Sequence, residues 1–361
     1  MKLQFLEGNN SDFYNELTHK VDKYFKENKL SRYADTGMVL KTIFITVTYL
    51  AMYGLLITSS FNALTGVLYC IIMGLMHPLF FINIGHDALH HTYSKKKSVN
   101  RTMAYFLNFA GLNAYINRIL HLKVHHLFTS VEGYDIIVEE YSVLRLSENQ
   151  PYEKMHKYQV YYAPLIYSLF SIFLIFSIDF VLFKRARMGN SPIQHSKADV
   201  ARLYLQKLSY LFFTLVLPLM VVDVAWYWVV MGFFTVHMIS GLALAIVGVL
   251  NHQINESVFP QPNEEGYIAN SRKNHELEAT IDFAPYSKLA LWYFGGFNTH
   301  TAHHLYPNIC HTHYIPVTRM IEETVNDYGL TYRKHSLAGA IRSHFAYLKR
   351  LSKPPKAVKA T

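Results

Sequence analysis

Apolar positions in this chain gather into long unbroken blocks instead of recurring at helical or strand intervals. Residues 1–38 are polar and mixed in charge, without the early apolar run that a cleavable leader needs. From Thr42 to Gly85 come 44 residues without an Asp, Glu, Lys or Arg. A helix rises about 1.5 Å per residue and a bilayer core is about 30 Å thick, so this length makes two crossings. The small polar group Thr58-Ser59-Ser60 with Asn62 marks the turn, which predicts crossings over about 40–58 and 62–84. A second block, Leu208 to Leu250, carries one charge, Asp223. It divides into helices over about 206–222 and 226–250, with Asp223, Trp226, Tyr227 and Trp228 as an interfacial turn and aromatic belt.

A fifth apolar run, 160–183, is long enough to span but contains Pro164 and Asp179. The segment after it, 184–207, sets Lys184, Arg185, Arg187, Lys197, Arg202 and Lys207 against Asp199, a composition of cytoplasmic flanks. One crossing by 160–183 would put the histidine-rich segments on either side of it across the membrane from each other. The run is therefore read as interfacial or re-entrant. The fold expected is an all-α membrane protein with two transmembrane helical hairpins, four crossings in all, and a cytoplasmic helical cap. Its expected parts are a cytoplasmic N-terminal segment 1–38, a single membrane-embedded domain 39–330 and a basic C-terminal tail 331–361. The tail's basic end, Lys353–Lys359, reads as a frayed terminus.

Composition narrows the function. Of 361 residues 51% are hydrophobic and only 16% charged, against about 25% in soluble domains, which excludes intrinsic disorder. Two cysteines, Cys70 and Cys310, exclude a disulfide scaffold. A net charge of +9 on so apolar a chain points to anionic lipid headgroups and not to nucleic acid.

Histidine is the exception, with 20 residues, nine of them in three clusters. HDALHH (86–91) ends the second crossing, and a continued helix puts His86 and His90 on one face. HLKVHH (121–126) repeats the spacing with His121 and His125, and His126 one step round. HTAHH (300–304) sets His300, His303 and His304 on one stripe. One such pair is an ordinary surface feature, but three clusters of three make a metal site. Neutral imidazoles suit Zn, Cu, Fe or Ni, no cysteine cluster suggests structural zinc, and HExxH is absent. Eight or nine imidazoles exceed one ion's needs, so two ions are expected. A redox-active pair at the membrane face fits iron that activates O2, with copper the alternative. No GxSxG elbow or P-loop offers a competing chemistry.

These boxes, with NIGHDALHHTYSKKKSVN (83–100), HELEATIDFAP (275–285) and GGFNTHTAHHLYPNICHTHY (295–314), resemble the integral-membrane fatty acid desaturases. The flanking text is similar to the bacterial group labelled linoleoyl-CoA desaturase-like, and the likeness covers about residues 35–330. It implies a non-haem diiron centre whose ligands are His86, His90, His121, His125, His126, His300, His303 and His304. A further histidine after the last crossing is implied, and His252 in VLNHQINE fits. The implied reaction is O2-dependent insertion of a double bond into a long acyl chain carried on CoA, a carrier protein or a phospholipid. No cytochrome b5 signature HPGG is fused to the chain, so electrons are expected from a separate ferredoxin, rubredoxin or cytochrome b5 type donor. In a bacterium the protein would sit in the cytoplasmic membrane with its site facing the cytoplasm. A lipid or carotenoid hydroxylase or ketolase is the alternative on the same scaffold. A metal transporter would place its ligands along a path within the bilayer, not after the crossings.

This sequence departs from the pattern of many relatives in having His300 where glutamine stands and in adding His91. The latter falls about 140° from His86 on a continued helix and so reads as an interfacial polar residue. His77 and His237 lie inside crossings and read as hydrogen-bonded packing residues. Asp87, Asp135, Asn298 and His311 are candidates to hold ligand rings from behind. Lys95–Lys97 read as a solvated juxtamembrane cluster.

Overall fold

The charge-free blocks become helices in the computed structural model, which describes residues 3–6, 11–58, 60–131, 133–135, 143–188 and 191–355. Ser59 of the expected turn and residues 356–361 of the expected tail lie outside the described residues. After α1 (Ser11–Glu27), four helices among the described residues are long and apolar enough to cross a membrane: α2 (Thr36–Thr58), α3 (Leu64–Leu89), then Lys197–Val221 and Trp226–Val249. The turn falls where the polar residues predict it, because Asn62 accepts a hydrogen bond from the Thr65 amide and caps α3.

Two bounds differ from the sequence reading. α3 runs on through the first histidine cluster as far as Leu89, and the helix beginning at Lys197 starts about two turns before the expected 206. Ser196 and Asp199 form a reciprocal capping box there, so the helix begins at its cap and not where charge ends.

The 160–183 run is not a straight rod. It comprises α4 (Lys154–Ser168) and α5 (Phe170–Lys184), bent by 64° at Leu169, one turn beyond Pro164. Lys197–Val221 is α6 and Trp226–Val249 is α7. α7 packs on α3 and on the bend through small residues. A Cβ on Gly241 would stand 2.1 Å from the Ser168 carbonyl oxygen, and one on Gly74 would stand 2.9 Å from Ile239 Cβ. Backbones this close need the missing side chain. α2 and α6 expose Leu40, Val47, Leu205 and Leu208, whereas α3 buries most of its length.

A buried ion pair ties the bend to the second histidine segment. Lys207 Nζ of α6 donates to Asp179 of α5 and to Gly111 O, both at 2.6 Å, and the Asn113 amide donates to Asp179 at 2.8 Å. The C-terminal part adds short helices at Arg272–Glu278, Lys288–Phe294 and His300–Leu305, then Tyr314–Asp327 and Leu337–Leu351. α1 lays Phe13, Leu17 and Val21 against Val317, Ile321 and Val325 of Tyr314–Asp327. Among the described residues, strand pairing is limited to three two-residue pairs, so the fold is mostly helical.

Lys207→Met leaves the Asp179 carboxylate uncompensated in a dry site, where loss of one partner costs about 3–5 kcal/mol. A thermal melt of purified protein in detergent should show this as a drop of several degrees.

Candidate metal centre

Each histidine cluster owes its geometry to a local irregularity. The first is preceded by a π-helical turn, Phe80–Gly85, that rotates the end of α3. The helix then ends at Leu89 in a left-handed cap: Thr92 N–H bonds Asp87 O, His91 N–H bonds Ala88 O, and His91 takes φ 61°. His91 is therefore exposed and points away from the cluster, but because the helix has stopped, not because it continues.

The second cluster lies within another π-turn, Leu120–His125, on a helical segment capped by Asn113. Five residues, not four, then close one turn. His121 Nε2 faces His126 Nε2 at 3.1 Å, while His125 joins a different set of rings. The expected pairing of His121 with His125 on one face is corrected to His121 with His126.

The third cluster is delivered by the Gly295-Gly296 turn, with φ values of 57° and 86°. A Cβ on Gly295 would meet Ile82 O at 2.1 Å, so the turn packs directly on the π-turn of α3. Asp282 then fixes the start of His300–Leu305 by accepting from Thr301 N at 2.8 Å and Thr301 Oγ1 at 3.0 Å.

Nine imidazoles meet as a result. His86, His90, His121 and His303 form one set, and His125, His252, His300 and His304 form another, with the ligand atoms of each within 4.8 Å of one another. His126 lies between them, grouped with His303 and His304. His121 Nε2 faces both His86 Nε2 (2.8 Å) and His126 Nε2 (3.1 Å). His300 Nε2 likewise faces His252 Nε2 (2.8 Å) and His304 Nε2 (3.0 Å). A ring nitrogen has one proton or one lone pair, so at most one of the two contacts at each centre is a good hydrogen bond. Two ring nitrogens each about 2.1 Å from one first-row ion, at right angles, stand about 3.0 Å apart. The buried Nε2 atoms of His90 and His303 have no hydrogen-bond partner among the described residues. The residues present fit two metal ions.

Protonation agrees. Burial, reinforced by neighbouring imidazoles, holds His121, His126, His300, His303 and His304 well below the ordinary histidine range. Burial likewise pushes His90 and His252 to about 3. These rings are neutral near pH 7, the form that binds a metal.

With this geometry in place, the comparison with known proteins is direct: the family described as fatty acid desaturase matches residues 62–336. The chain belongs to that family. It is similar to an acyl-lipid (8-3)-desaturase of Physcomitrium patens, at 29% identity over 97% of this chain and 73% of the relative. It is also similar to sn-1 linoleoyl-lipid 6-desaturases of Arthrospira platensis (27%; 97% and 95%) and Synechocystis sp. (26%; 94% and 96%). The protein is an oxidoreductase of the desaturase type.

Behind the desaturase's rings, Nδ1–H of His125 donates to Asp135 Oδ2 at 3.1 Å and Nδ1–H of His252 donates to Ala279 O at 2.9 Å. Both bonds fix the tautomer that leaves Nε2 free toward the cluster. Thr129 Oγ1 meets His304 Nδ1 at 3.3 Å, and His275 Nε2–H holds the same residue by donating to Thr129 O at 2.9 Å. The other candidates reach no ring of the two sets. Asp87 accepts from His311 Nδ1 (2.7 Å) and Cys310 Sγ (3.0 Å), with Lys41 Nζ at 3.2 Å from His311 Nε2. Asn298 donates to Ala284 O, and Lys95–Lys97 are exposed. His77 and His237 bond Tyr210 and, in turn, Tyr49 and Ser171 within the bundle. Glu256 engages Ser343 and His335. The sequence reading missed Thr129, Asp282 and the Ala279 carbonyl. The signal for Asp282 was present in HELEATIDFAP, whose acid stands 18 residues before His300.

His252→Ala removes a converging nitrogen and should abolish activity and lower bound metal, whereas His91→Ala should keep most of both. Metal analysis of the two purified variants decides; the reverse pattern would make His91 the ligand.

Proposed function

We propose that this protein inserts a double bond into a long acyl chain carried on a lipid, at two irons held by the converging histidines. His86, His90, His121 and His303 would hold one iron and His125, His252, His300 and His304 the other, with His126 between. The observation that carries the reading is the approach of neutral ring nitrogens to 2.8–3.1 Å around two centres. The lipid carrier follows from the relatives' names, acyl-lipid and linoleoyl-lipid desaturases.

Methylene hydrogens are not acidic, so no general base in this chain can start the reaction. Two irons bound here supply the missing chemistry, in which O2, two electrons and two protons become two waters as two hydrogens leave adjacent carbons. The chain's own residues then have narrower tasks. Asp135 and the Ala279 carbonyl hold the Nδ1 protons of His125 and His252, so that neither ring turns. His90 and His121 are only partly buried, unlike the whole second set. Electrons from a separate ferredoxin, rubredoxin or cytochrome b5 type donor would enter on that side.

The membrane arrangement belongs to the same proposal. α2 with α3 and α6 with α7 are two transmembrane hairpins of one domain, 39–330, and the rest forms a cytoplasmic cap over the histidines, flanked by 1–38 and 331–361. The bent pair α4–α5 enters the interface without crossing, which keeps every histidine segment on one side.

Three measurements test this. Fatty-acid methyl esters from cells expressing the protein should show a new unsaturated species, absent with His303→Ala; new hydroxy or keto acids would point to a hydroxylase or ketolase. Anaerobically purified active protein should contain two irons per chain, and one zinc without iron would refute the diiron centre. Reporter fusions at 195 and 275 should report the same side of the membrane; opposite sides would make α4–α5 a span.

A further inference from the structure

A groove of about 980 Å³ lies between α2, α6 and the segment 101–118, apart from the histidine centre. Its lining changes chemistry in order along one stripe of α6. Asp199 and Arg202 stand at the top, Gln206 one turn on, then Ser209 and Tyr210, and finally Phe213 and Thr214. From Arg202 to Phe213 is about 16 Å at 1.5 Å per residue. The facing walls carry the same three kinds of residue: Arg101 and Arg118, then Asn108, and Leu50 and Tyr53 of α2. Tyr53 donates to the Phe213 carbonyl at the apolar end.

Each level lacks a complement. The lining holds three guanidinium groups and one carboxylate, Asp199, which pairs with Arg202 at 3.1 Å. Both amide atoms of Gln206 and Oδ1 of Asn108 are buried without a hydrogen-bond partner among the described residues. A buried amide left in that state is costly, and a ligand with ester oxygens or a hydroxyl would satisfy it after a small rotation. The lower end opens on exposed Leu50 and Phe213, the sides of helices read as facing lipid. It also shares Tyr49, Tyr53, Tyr210 and Thr214 with a second cavity of about 200 Å³ that continues inward to Cys70 and Met73.

We infer that this groove is a binding site for one glycerophospholipid. Its phosphate would lie on Arg101, Arg118 and Arg202, its glycerol esters against Gln206 and Asn108, and one acyl tail between Leu50 and Phe213 toward the inner cavity. Guanidinium forks match phosphate oxygens, and a neutral glycolipid would leave them unpaired. Acyl-CoA carries a large nucleotide that needs a water-side pocket, whereas this groove opens sideways into lipid. The inference rests on the membrane placement of α2 and α6 and not on desaturation.

The test is native mass spectrometry of delipidated full-length protein in detergent, titrated separately with phosphatidylglycerol, monogalactosyldiacylglycerol and oleoyl-CoA. One phosphatidylglycerol should bind per chain at least tenfold more tightly than the galactolipid or oleoyl-CoA. Arg101→Gln with Arg118→Gln, both at accessible positions, should weaken it about tenfold. Ser209→Trp should fill the groove and remove the adduct with every arginine in place, and thermal melts would confirm that each variant is folded. Equal binding of the galactolipid or oleoyl-CoA, or wild-type binding by both variants, overturns the site. Failure of the protein to partition into membranes would instead overturn the placement of α2 and α6.

Discussion

Neutral imidazoles do not gather by themselves. Nine of them pressed together with ring nitrogens at hydrogen-bond distance, and too few protons to bridge them, make a costly cluster unless something cationic occupies its centres. Several irregularities of this desaturase hold that cluster. Two π-turns, a double-glycine turn and a left-handed cap all occur within a few residues of a histidine box. Each costs stability locally, and the surrounding bundle over-determines it.

The holding is done from behind and mostly by the backbone or by buried acids. Asp135 and Ala279 O set two tautomers, while Asp282 fixes the segment that carries the third box. Burial pushes the Asp282 carboxyl up to about 6, although Thr301 and Tyr332 donate to it. A carboxylate under that tension is a poor choice for stability alone, but it sits where a short six-residue helix has no length to stabilise itself. The same division of labour appears at Lys207 and Asp179, which pin the segment leading to the second box across three elements.

Much of this was legible in the sequence because it rests on composition and on spacing. Forty-four uncharged residues predict long apolar helices, and three dense histidine boxes predict a cluster of imidazoles. The nine residues that converge are those the boxes and the resemblance named, His252 included. What could not be read was where the helix changes pitch. HLKVHH looks like an i, i+4 pair under a 3.6-residue period, and only the π-turn assigns His121 to His126 and His125 to the other set. His91 shows the limit from the other side. Its placement away from the site follows from a cap at Leu89 that no periodicity signals, so the right orientation was reached by an inapplicable route. Asp87, His311 and Asn298 were chosen for nearness in sequence to a box, but chain neighbours on a helix point in different directions, and their bonds go to one another or to the backbone.

The unequal burial of the two histidine sets has a physical consequence for how the site must work. A fully enclosed centre excludes water and side reactions, but it also blocks access. The set containing His90 and His121 is only partly buried, whereas the set containing His125 and His252 is buried throughout beside Asp135, Thr129 and the Ala279 carbonyl. The accessible and the protected set both draw on one π-turn, Leu120–His125, which sends His121 to the first and His125 to the second. A regular helix would have put His121 and His125 on the same face and given both sets the same exposure. The extra residue in that turn therefore separates two chemically equivalent sets of imidazoles into an accessible side and a protected one.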